Sequence, residues 1–376
     1  MSELFKGIPE IVICYDNDDS GFNGAKTICE AIGYKSKRIQ WDAGLKKGYD
    51  LNDLLLDCKS KKSFLEKIRL LTESAIKEVN PVLEASVFSL KLLEEKLALE
   101  ASGKITGIPS GFSVFDRNFS GINGIVMVGG KAKCGKTTYV GNIAKYAAGQ
   151  GYPTIYMDYE NGKINLLKKI IANIFHCPVA ELRHRRKEIF DIRKNRKQHD
   201  QLSMILSNLF FVQPSMKDVV NKYDPGQEIS NQMFEKYIQF LRDDLSYEKP
   251  ILIVVDSLQK LPVWNTNDRR FGIDCWLRSF EWIRNQYDVS FLVVSEVARG
   301  KYDKPTLEAF KESGDIEYSA DLALLLFNES GIIHLHTVAN RNGEICDPIV
   351  YDPDFKHWKL KEMDTLILKR KVRNEK

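Results

Sequence analysis

The segment Gly130-Lys131-Ala132-Lys133-Cys134-Gly135-Lys136-Thr137 limits what this chain can fold into more than any other stretch. It reads G-x-x-x-x-G-K-T and stands between the apolar run Ile125-Val126-Met127-Val128 and a helix-like run over residues 138–148. Strand, glycine-rich loop and helix in that order make a phosphate cradle, because backbone N–H groups left unpaired at a helix N-terminus converge on one anion. In such a loop Lys136 reaches the β- and γ-phosphates of a nucleoside triphosphate and the Thr137 hydroxyl holds Mg²⁺. Gly130, Lys133, Cys134, Gly135 and Thr138 complete the expected binding loop, with ATP and Mg²⁺ as the expected ligands.

A loop of this kind belongs at the carboxyl edge of a parallel sheet. Strand-like runs recur at residues 125–128, 154–157, 209–212, 251–255, 291–294, 322–327 and 332–338, with helical stretches between the earlier ones. That alternation predicts an α/β fold whose mostly parallel central sheet carries helices on both faces. The run Ile251-Leu252-Ile253-Val254-Val255 ends in Asp256, an acid placed to hold the Mg²⁺ shell. Hydrolysis also needs a group that orients water. Asp158 and Glu160 both end the strand after the loop helix, and alternation puts them on one face, so spacing leaves the choice open. Ser295-Glu296 ends another apolar strand, where a polar group can sense the γ-phosphate; Arg299 and Lys301 follow. Arg341, in the turn Asn340-Arg341-Asn342-Gly343, reads either as a phosphate contact offered to a neighbouring subunit or as a surface arginine. The basic stretch over residues 183–197 either meets a phosphate backbone or forms a solvated helix face partly neutralised by Glu181, Glu188 and Asp191.

Upstream the pattern changes. Ile11-Val12-Ile13-Cys14-Tyr15 reads as a buried strand, Asp16 to Gly21 as an acidic turn, residues 24–32 as a helix and residues 36–41 as a second strand. Residues 61–101 read as helical, with an apolar stripe at Leu65, Ile68, Ile76 and Val79 and, past Pro81, at Leu83, Val87, Leu90, Leu93 and Leu97. Such a helix links domains, docks on a partner or packs on its own domain. A net charge of +4 is too small to imply nucleic-acid binding by itself. Seven cysteines without a C-x-x-C pair fit a reducing compartment. With no apolar run of about 18 residues and no signal-type N-terminus, a soluble protein of the cytoplasm is expected, without a membrane partner.

From Thr106-Gly107-Ile108-Pro109-Ser110-Gly111-Phe112 onward the chain resembles the RecA-like ATPase domain of DnaB-type replicative helicases. The resemblance covers roughly residues 104–360 and includes the phosphate loop, Ser313-Gly314-Asp315-Ile316-Glu317 with Ala320-Asp321, and Arg341-Asn342-Gly343. It implies a catalytic role for Glu160 over Asp158, a Mg²⁺ role for Asp256, and an arginine finger at Arg341. It further implies a hexameric ring acting on single-stranded DNA, gripped by loops carrying Lys260, Arg299 and Lys301, with a primase or loader as partner, in a bacterial or phage-infected cell. Two positions depart from the family: Glu296 replaces its γ-phosphate-sensing glutamine, and Ala339 replaces a lysine before the finger. These departures keep two alternatives open, a RadA- or RecA-like DNA-dependent ATPase without unwinding and a nucleotide-gated replication accessory. The N-terminal segment resembles the second half of a TOPRIM domain, as in primase-helicases. Asp16 and Asp18 match its D-x-D metal ligands, and Gly48 to Asp53 its later acidic element. An earlier TOPRIM glutamate and zinc-finger cysteines have no counterpart. The segment is therefore expected to be a scaffold, or part of a longer primase-helicase, with vestigial metal ligands. The expected divisions are a partial TOPRIM-like segment over 1–60, a helical linker over 61–103 and the ATPase domain over 104–376.

Overall fold

Residues 8, 10–32, 36–42, 44–77, 94, 97–99, 101–215, 231–263, 269–297, 305–310 and 316–363 are described in a computed structural model, with the side chains of Glu30 and Glu317 excepted. The chain divides into two units, Met1–Glu95 and Lys96–Lys376.

In the first unit β1 (Ile11–Ile13), α1 (Asp19–Ile32) and β2 (Ser36–Arg38) form a parallel β-α-β step, with Ile11 opposite Ser36 and Ile13 opposite Arg38. The helix starts at Asp19, earlier than the expected residue 24. Asp18 Oδ1 accepts the Gly21 N–H at 2.8 Å, so the acidic turn is itself the helix start. A Cβ at Gly21 would lie 2.2 Å from the Asp16 carbonyl oxygen, so the turn needs glycine there. The later acids serve as caps: Asp50 and Asp53 form a reciprocal capping box on α2 (Leu51–Asp57). The helix α3 (Lys61–Glu73) packs Phe64, Ile68 and Leu71 against Trp41, Tyr49 and Leu54 of its own unit. It stops at Ser74, and Ile76 instead forms an antiparallel bridge with Arg38, so the expected stripe does not continue helically through Ile76. Val79, Leu83, Val87, Leu90 and Leu93 lie outside the described residues, and Leu97 is exposed.

The second unit is built on a nine-stranded sheet, in spatial order β11-β10-β9-β8-β3-β7-β6-β4-β5. Its strands are β3 (Ile125–Gly130), β4 (Thr154–Asp158), β5 (Leu209–Val212), β6 (Ile251–Asp256), β7 (Val289–Glu296), β8 (Leu322–Glu329), β9 (Ile332–Asn340), β10 (Ile349–Asp354) and β11 (Lys359–Met363). β3 to β8 pair in parallel; β9, β10 and β11 extend the sheet antiparallel. The change follows from chain length. Ser330 and Gly331, with φ of 51° and 88°, turn β8 straight into β9, leaving no chain for a crossover helix.

Between the strands run α4 (Ser113–Phe119), α5 (Lys136–Gly149), α6 (Lys163–Ile174), α7 (Arg186–Ile189), α8 (Arg196–Asn208), α9 (Gln232–Gln239), α10 (Arg269–Gln286) and α11 (Ile316–Ser319). Alternation along the strands sends Val126, Val128, Leu252 and Val254 to the face packed by Tyr139 and Ile143 of α5 and Leu202 of α8. Ile125, Met127, Ile253 and Phe291 face α9 and α10 on the other side. Both faces are therefore covered, and the strands read as continuous apolar runs. A distant contact closes the unit: Glu362 of β11 accepts the Val114 N–H at 2.9 Å and the Ser113 hydroxyl at 2.8 Å, placing an anion on the α4 N-terminus. Among the described residues no helix is long and apolar enough to cross a membrane.

Phe280 of α10 is fully buried and stacks on Phe291 with ring centroids 4.6 Å apart. Phe280→Ala is expected to destabilise the larger unit by about 3–5 kcal/mol through lost burial and a residual cavity. Urea unfolding followed by intrinsic fluorescence measures it; a loss well under about 1 kcal/mol would show that this face does not carry the core.

Candidate active site

The loop between β3 and α5 is shaped by close approach. Gly130 has φ 158°, and a Cβ there would sit 2.6 Å from Cys134 Sγ and 2.8 Å from the Leu326 carbonyl oxygen. Gly135, at the helix start, has φ 108°, where a side chain is strained. Lys133 is left-handed at φ 63°. Cys134 points inward, and burial pushes its thiol up. Lys136 folds back over the loop, donating to the carbonyls of Gly130 at 2.7 Å and Lys131 at 2.9 Å. A cavity of about 910 Å³ opens above, lined by Gly130, Lys136, Thr137, Thr138 and the ends of neighbouring strands.

Strand register brings those ends together. Gly130 pairs with Glu296, and Asp158 with Asp256. Asp256 is fully buried; Tyr156 Oη donates to its Oδ2 at 3.0 Å. Burial pushes the Asp256 carboxyl up to about 6, the charges of Glu160 and Asp158 act the same way, and the Thr137 and Tyr156 hydroxyls pull it down. Its Oδ1 is buried with no partner in a well-formed hydrogen bond. A buried carboxylate oxygen left over beside a threonine hydroxyl is the donor set a hard divalent cation takes.

The two acids of β4 do not share a face. The strand ends at Asp158, whose Oδ1 accepts the N–H groups of Glu160 at 3.2 Å and Asn161 at 2.9 Å. This turn buries Asp158 and leaves Glu160 exposed at the cavity wall, its Oε1 accepting the Ser257 hydroxyl at 3.2 Å. Alternation fails here because the backbone is no longer extended past Asp158. Glu296 also lines the cavity. Its N–H donates to Gln259 Oε1, and Gln259 Nε2 donates to Ser295 Oγ, both at 2.9 Å.

Three contributors carry no sequence signal. Lys169 of α6 lines the cavity and donates to Asn161 Oδ1 at 2.7 Å. Burial lowers its pKa, opposed by Asp256 and Asp158. Gln259 braces β7 from the turn after Asp256. Phe355, in the turn between β10 and β11, brings a 46% exposed ring to the cavity, 3.4 Å from where a Gly135 Cβ would stand.

Other expected residues lie elsewhere. Arg341 follows β9 and is absent from the cavity lining; its Nη1 donates to Asp321 at 3.1 Å. Ala339 pairs with Ala323 within the sheet. Lys260 is exposed on a 3₁₀ turn, while Arg299 and Lys301 lie outside the described residues. In the basic stretch Arg185 pairs with Glu188 at 2.8 Å, while Arg183, Arg186, Lys187, Arg193, Arg196 and Lys197 are at least partly exposed. In the first unit Asp16 is exposed, Asp18 caps its turn, and no group of three or more acid, histidine or cysteine side chains among the described residues forms a metal cluster.

A buried Asp256 with a native pKa near 6 holds a proton that the unfolded chain, at about 3.9, does not. Native stability without ligand therefore falls as pH rises from about 4 to about 6 and levels off above. Asp256→Asn is expected to remove that slope and to raise ligand-free stability at pH 8 by on the order of 2–3 kcal/mol. Thermal unfolding at pH 5 and pH 8 checks it; equal effects at both pH values would show that Asp256 titrates normally.

A profile of the DnaB-like helicase C-terminal domain matches residues 107–347. The replicative DNA helicase DnaC of Bacillus subtilis is 23% identical over 317 residues, which are 79% of this chain and 64% of that protein. The chain thus spans somewhat under two thirds of that relative's length. Among solved structures, an isolated helicase-like ATPase domain superposes with a TM-score of 0.62 at 19% identity, over 75% of this chain and all of that one. A DnaB-like replicative helicase, described with its primase interactions, superposes with a TM-score of 0.59 at 17% identity, over 83% of this chain and 75% of its own. With the phosphate loop, the parallel sheet and a profile match over most of its length, this chain belongs to the DnaB-like helicase C-terminal domain family.

Proposed function

We propose that the chain is an ATP-driven motor of the replicative helicase type, moving on single-stranded DNA. The observation that carries this reading is the meeting of Lys136, Thr137, Asp256 and Glu160 around one cavity at the carboxyl edge of the sheet. The loop N–H groups and Lys136 bind the β- and γ-phosphates of ATP, Lys136 exchanging its two loop carbonyls for phosphate oxygens. Thr137 and Asp256 are the residues that would hold Mg²⁺, the leftover Asp256 Oδ1 being the buried acceptor. Mg²⁺ bound there neutralises charge on the β- and γ-oxygens. Glu160, released from Ser257, orients the attacking water. Phe355 offers a ring face near the loop for the base. Glu296 stands opposite Gly130, where a carboxylate repels a γ-phosphate unless protonated or metal-bound. It is a sensor only in one of those forms.

Arg341 serves a neighbouring copy. Val126 pairs with Leu322, and Leu322 with Asn340, whereas the phosphate loop begins four residues up β3 at Gly130. At about 3.3 Å per residue, Arg341 lies more than about 13 Å down the sheet from its own loop. A trans finger requires a ring or helical assembly through heterologous contacts, and a hexameric ring is the arrangement proposed. DNA then runs past Lys260, Arg299 and Lys301. A primase or loader is the proposed protein partner and the cytoplasm the proposed location. For the first unit, the parallel β-α-β step with Asp16 and Asp18 past β1 supports a partial TOPRIM-like scaffold over residues 1–60, followed by a linker over 61–103.

ATP hydrolysis by the full chain with Mg²⁺ is expected to be stimulated by single-stranded DNA and lost in Lys136→Ala. Glu160→Gln is expected to lower kcat by about 10²–10⁴-fold with little change in KM. Strand displacement separates a helicase from a DNA-dependent ATPase that does not unwind. Absence of hydrolysis by the wild type with DNA present would overturn the motor and leave a nucleotide-gated binding protein.

A further inference from the structure

Asp321, immediately before β8, is a meeting point that nothing above uses. Its Oδ2 accepts the Ile125 N–H at 2.8 Å and Arg284 Nη1 at 2.5 Å; its Oδ1 accepts Arg341 Nη1 at 3.1 Å. Its backbone takes part too: the Arg341 N–H donates to the Asp321 carbonyl at 2.8 Å, and the Asp321 N–H to the Ile125 carbonyl at 2.9 Å. Arg341 Nη2 donates to the Tyr318 carbonyl, so the guanidinium is held at both tips. Room for the carboxylate is reserved by Gly124: at φ 63°, a Cβ there would fall 2.2 Å from Asp321 Oδ2.

We propose that Asp321 is a positioning residue that holds Arg341 extended for the γ-phosphate bound by a neighbouring copy of this chain. The inference rests on the trans role given to Arg341 above. Three features favour presentation over storage. First, burial is graded: the Asp321 side chain is 10% exposed, Arg284 20% and Arg341 46%, so the shared acid is inside and the second arginine reaches out. Second, one carboxylate serves two guanidinium groups. Arg284 already balances its charge, which leaves a net positive charge at the tip to meet an anion. Third, the bonds to Asp321 and the Tyr318 carbonyl commit two of the five N–H donors of a guanidinium, leaving donors for phosphate oxygens. Fixing the planar fork beforehand removes rotamer freedom that would otherwise be lost on reaching the transition state. Lysine cannot bridge the two acceptors in this planar way.

The test uses DNA-stimulated ATP hydrolysis by full-length protein, with binding of a fluorescent ATP analogue as the check on folding. Asp321→Asn keeps an acceptor for the Ile125 N–H but loses the charge. It is expected to lower kcat at least tenfold while leaving KM for ATP within twofold, because Asp321 lies at the far end of the sheet from the loop. Arg341→Lys, which keeps the charge and loses the fork, is expected to fall nearly as far as Arg341→Ala. In mixed assemblies, Lys136→Ala subunits, which retain Asp321 and Arg341, are expected to restore hydrolysis to both Asp321→Asn and Arg341→Ala subunits. A rise in kcat for Asp321→Asn would make Asp321 a restraint and overturn the proposal. So would full activity in Arg341→Lys, or rescue of Arg341→Ala without rescue of Asp321→Asn. If Asp321→Asn loses analogue binding, Arg341→Lys alone decides. Wild-type activity in Arg341→Ala would sink the trans finger itself, an outcome distinct from those that sink only the role of Asp321.

Discussion

The in-register ending of four parallel strands is the constraint on which the rest of the larger unit depends. β3, β7, β6 and β4 lie side by side, and pairing carries Gly130 to Glu296 and Asp158 to Asp256 without a shift. Because the strands are parallel, every connection leaves from the same edge, so the turns after them crowd into one cavity. Slip one strand by a single residue and its apolar set leaves the core. The same apolar run that buries Val126, Val254 and Leu292 against α5 therefore also sets the height of Asp256 beside Thr137. Packing and chemistry are one specification here.

That edge is electrostatically close to balance. Lys133, Lys136 and Lys169 line the cavity against Glu160, Asp256 and Glu296. A triphosphate brings more negative charge than three lysines offset in the presence of three acids. The arrangement thus calls for a divalent cation, and Asp256 has the unsatisfied oxygen to take it. Lys136 meanwhile satisfies loop carbonyls that would otherwise strain an empty cradle, so ligand binding exchanges partners for this ammonium rather than desolvating it anew.

Much of this was legible in the sequence, for local reasons. A glycine loop between a strand and a helix has few alternative structures, and a continuous apolar run ending in one acid locates both strand and edge. Asp158 and Glu160 were not separable, since the period-2 rule holds only while the backbone stays extended. The turn that parts them is made by Asp158 itself. Lys169, Gln259 and Phe355 left no mark because they arrive through tertiary packing: one from a helix face, one from a 3₁₀ turn, one from an antiparallel hairpin. The first unit misled for a related reason. Acids that read as metal ligands are placed where helices begin, and Asp18, Asp50 and Asp53 satisfy N–H groups there.

The antiparallel extension explains why the proposed site is divided between copies. Had the chain crossed over after β8 with a helix, the next strand would have run parallel and delivered its end to the phosphate edge. The two-residue turn at Ser330 and Gly331 reverses it instead, and β9 carries Arg341 to the opposite edge beside Asp321. One edge of the sheet then gathers phosphate donors, cation ligands and a water-orienting acid, while the other holds a guanidinium fixed by its own scaffold. A single copy cannot bring these edges together, because the full length of the buried strands separates them. A head-to-tail contact can, and it makes each site depend on the placement of the next subunit. For a motor of the kind proposed, that dependence links hydrolysis in one subunit to the position of its neighbour.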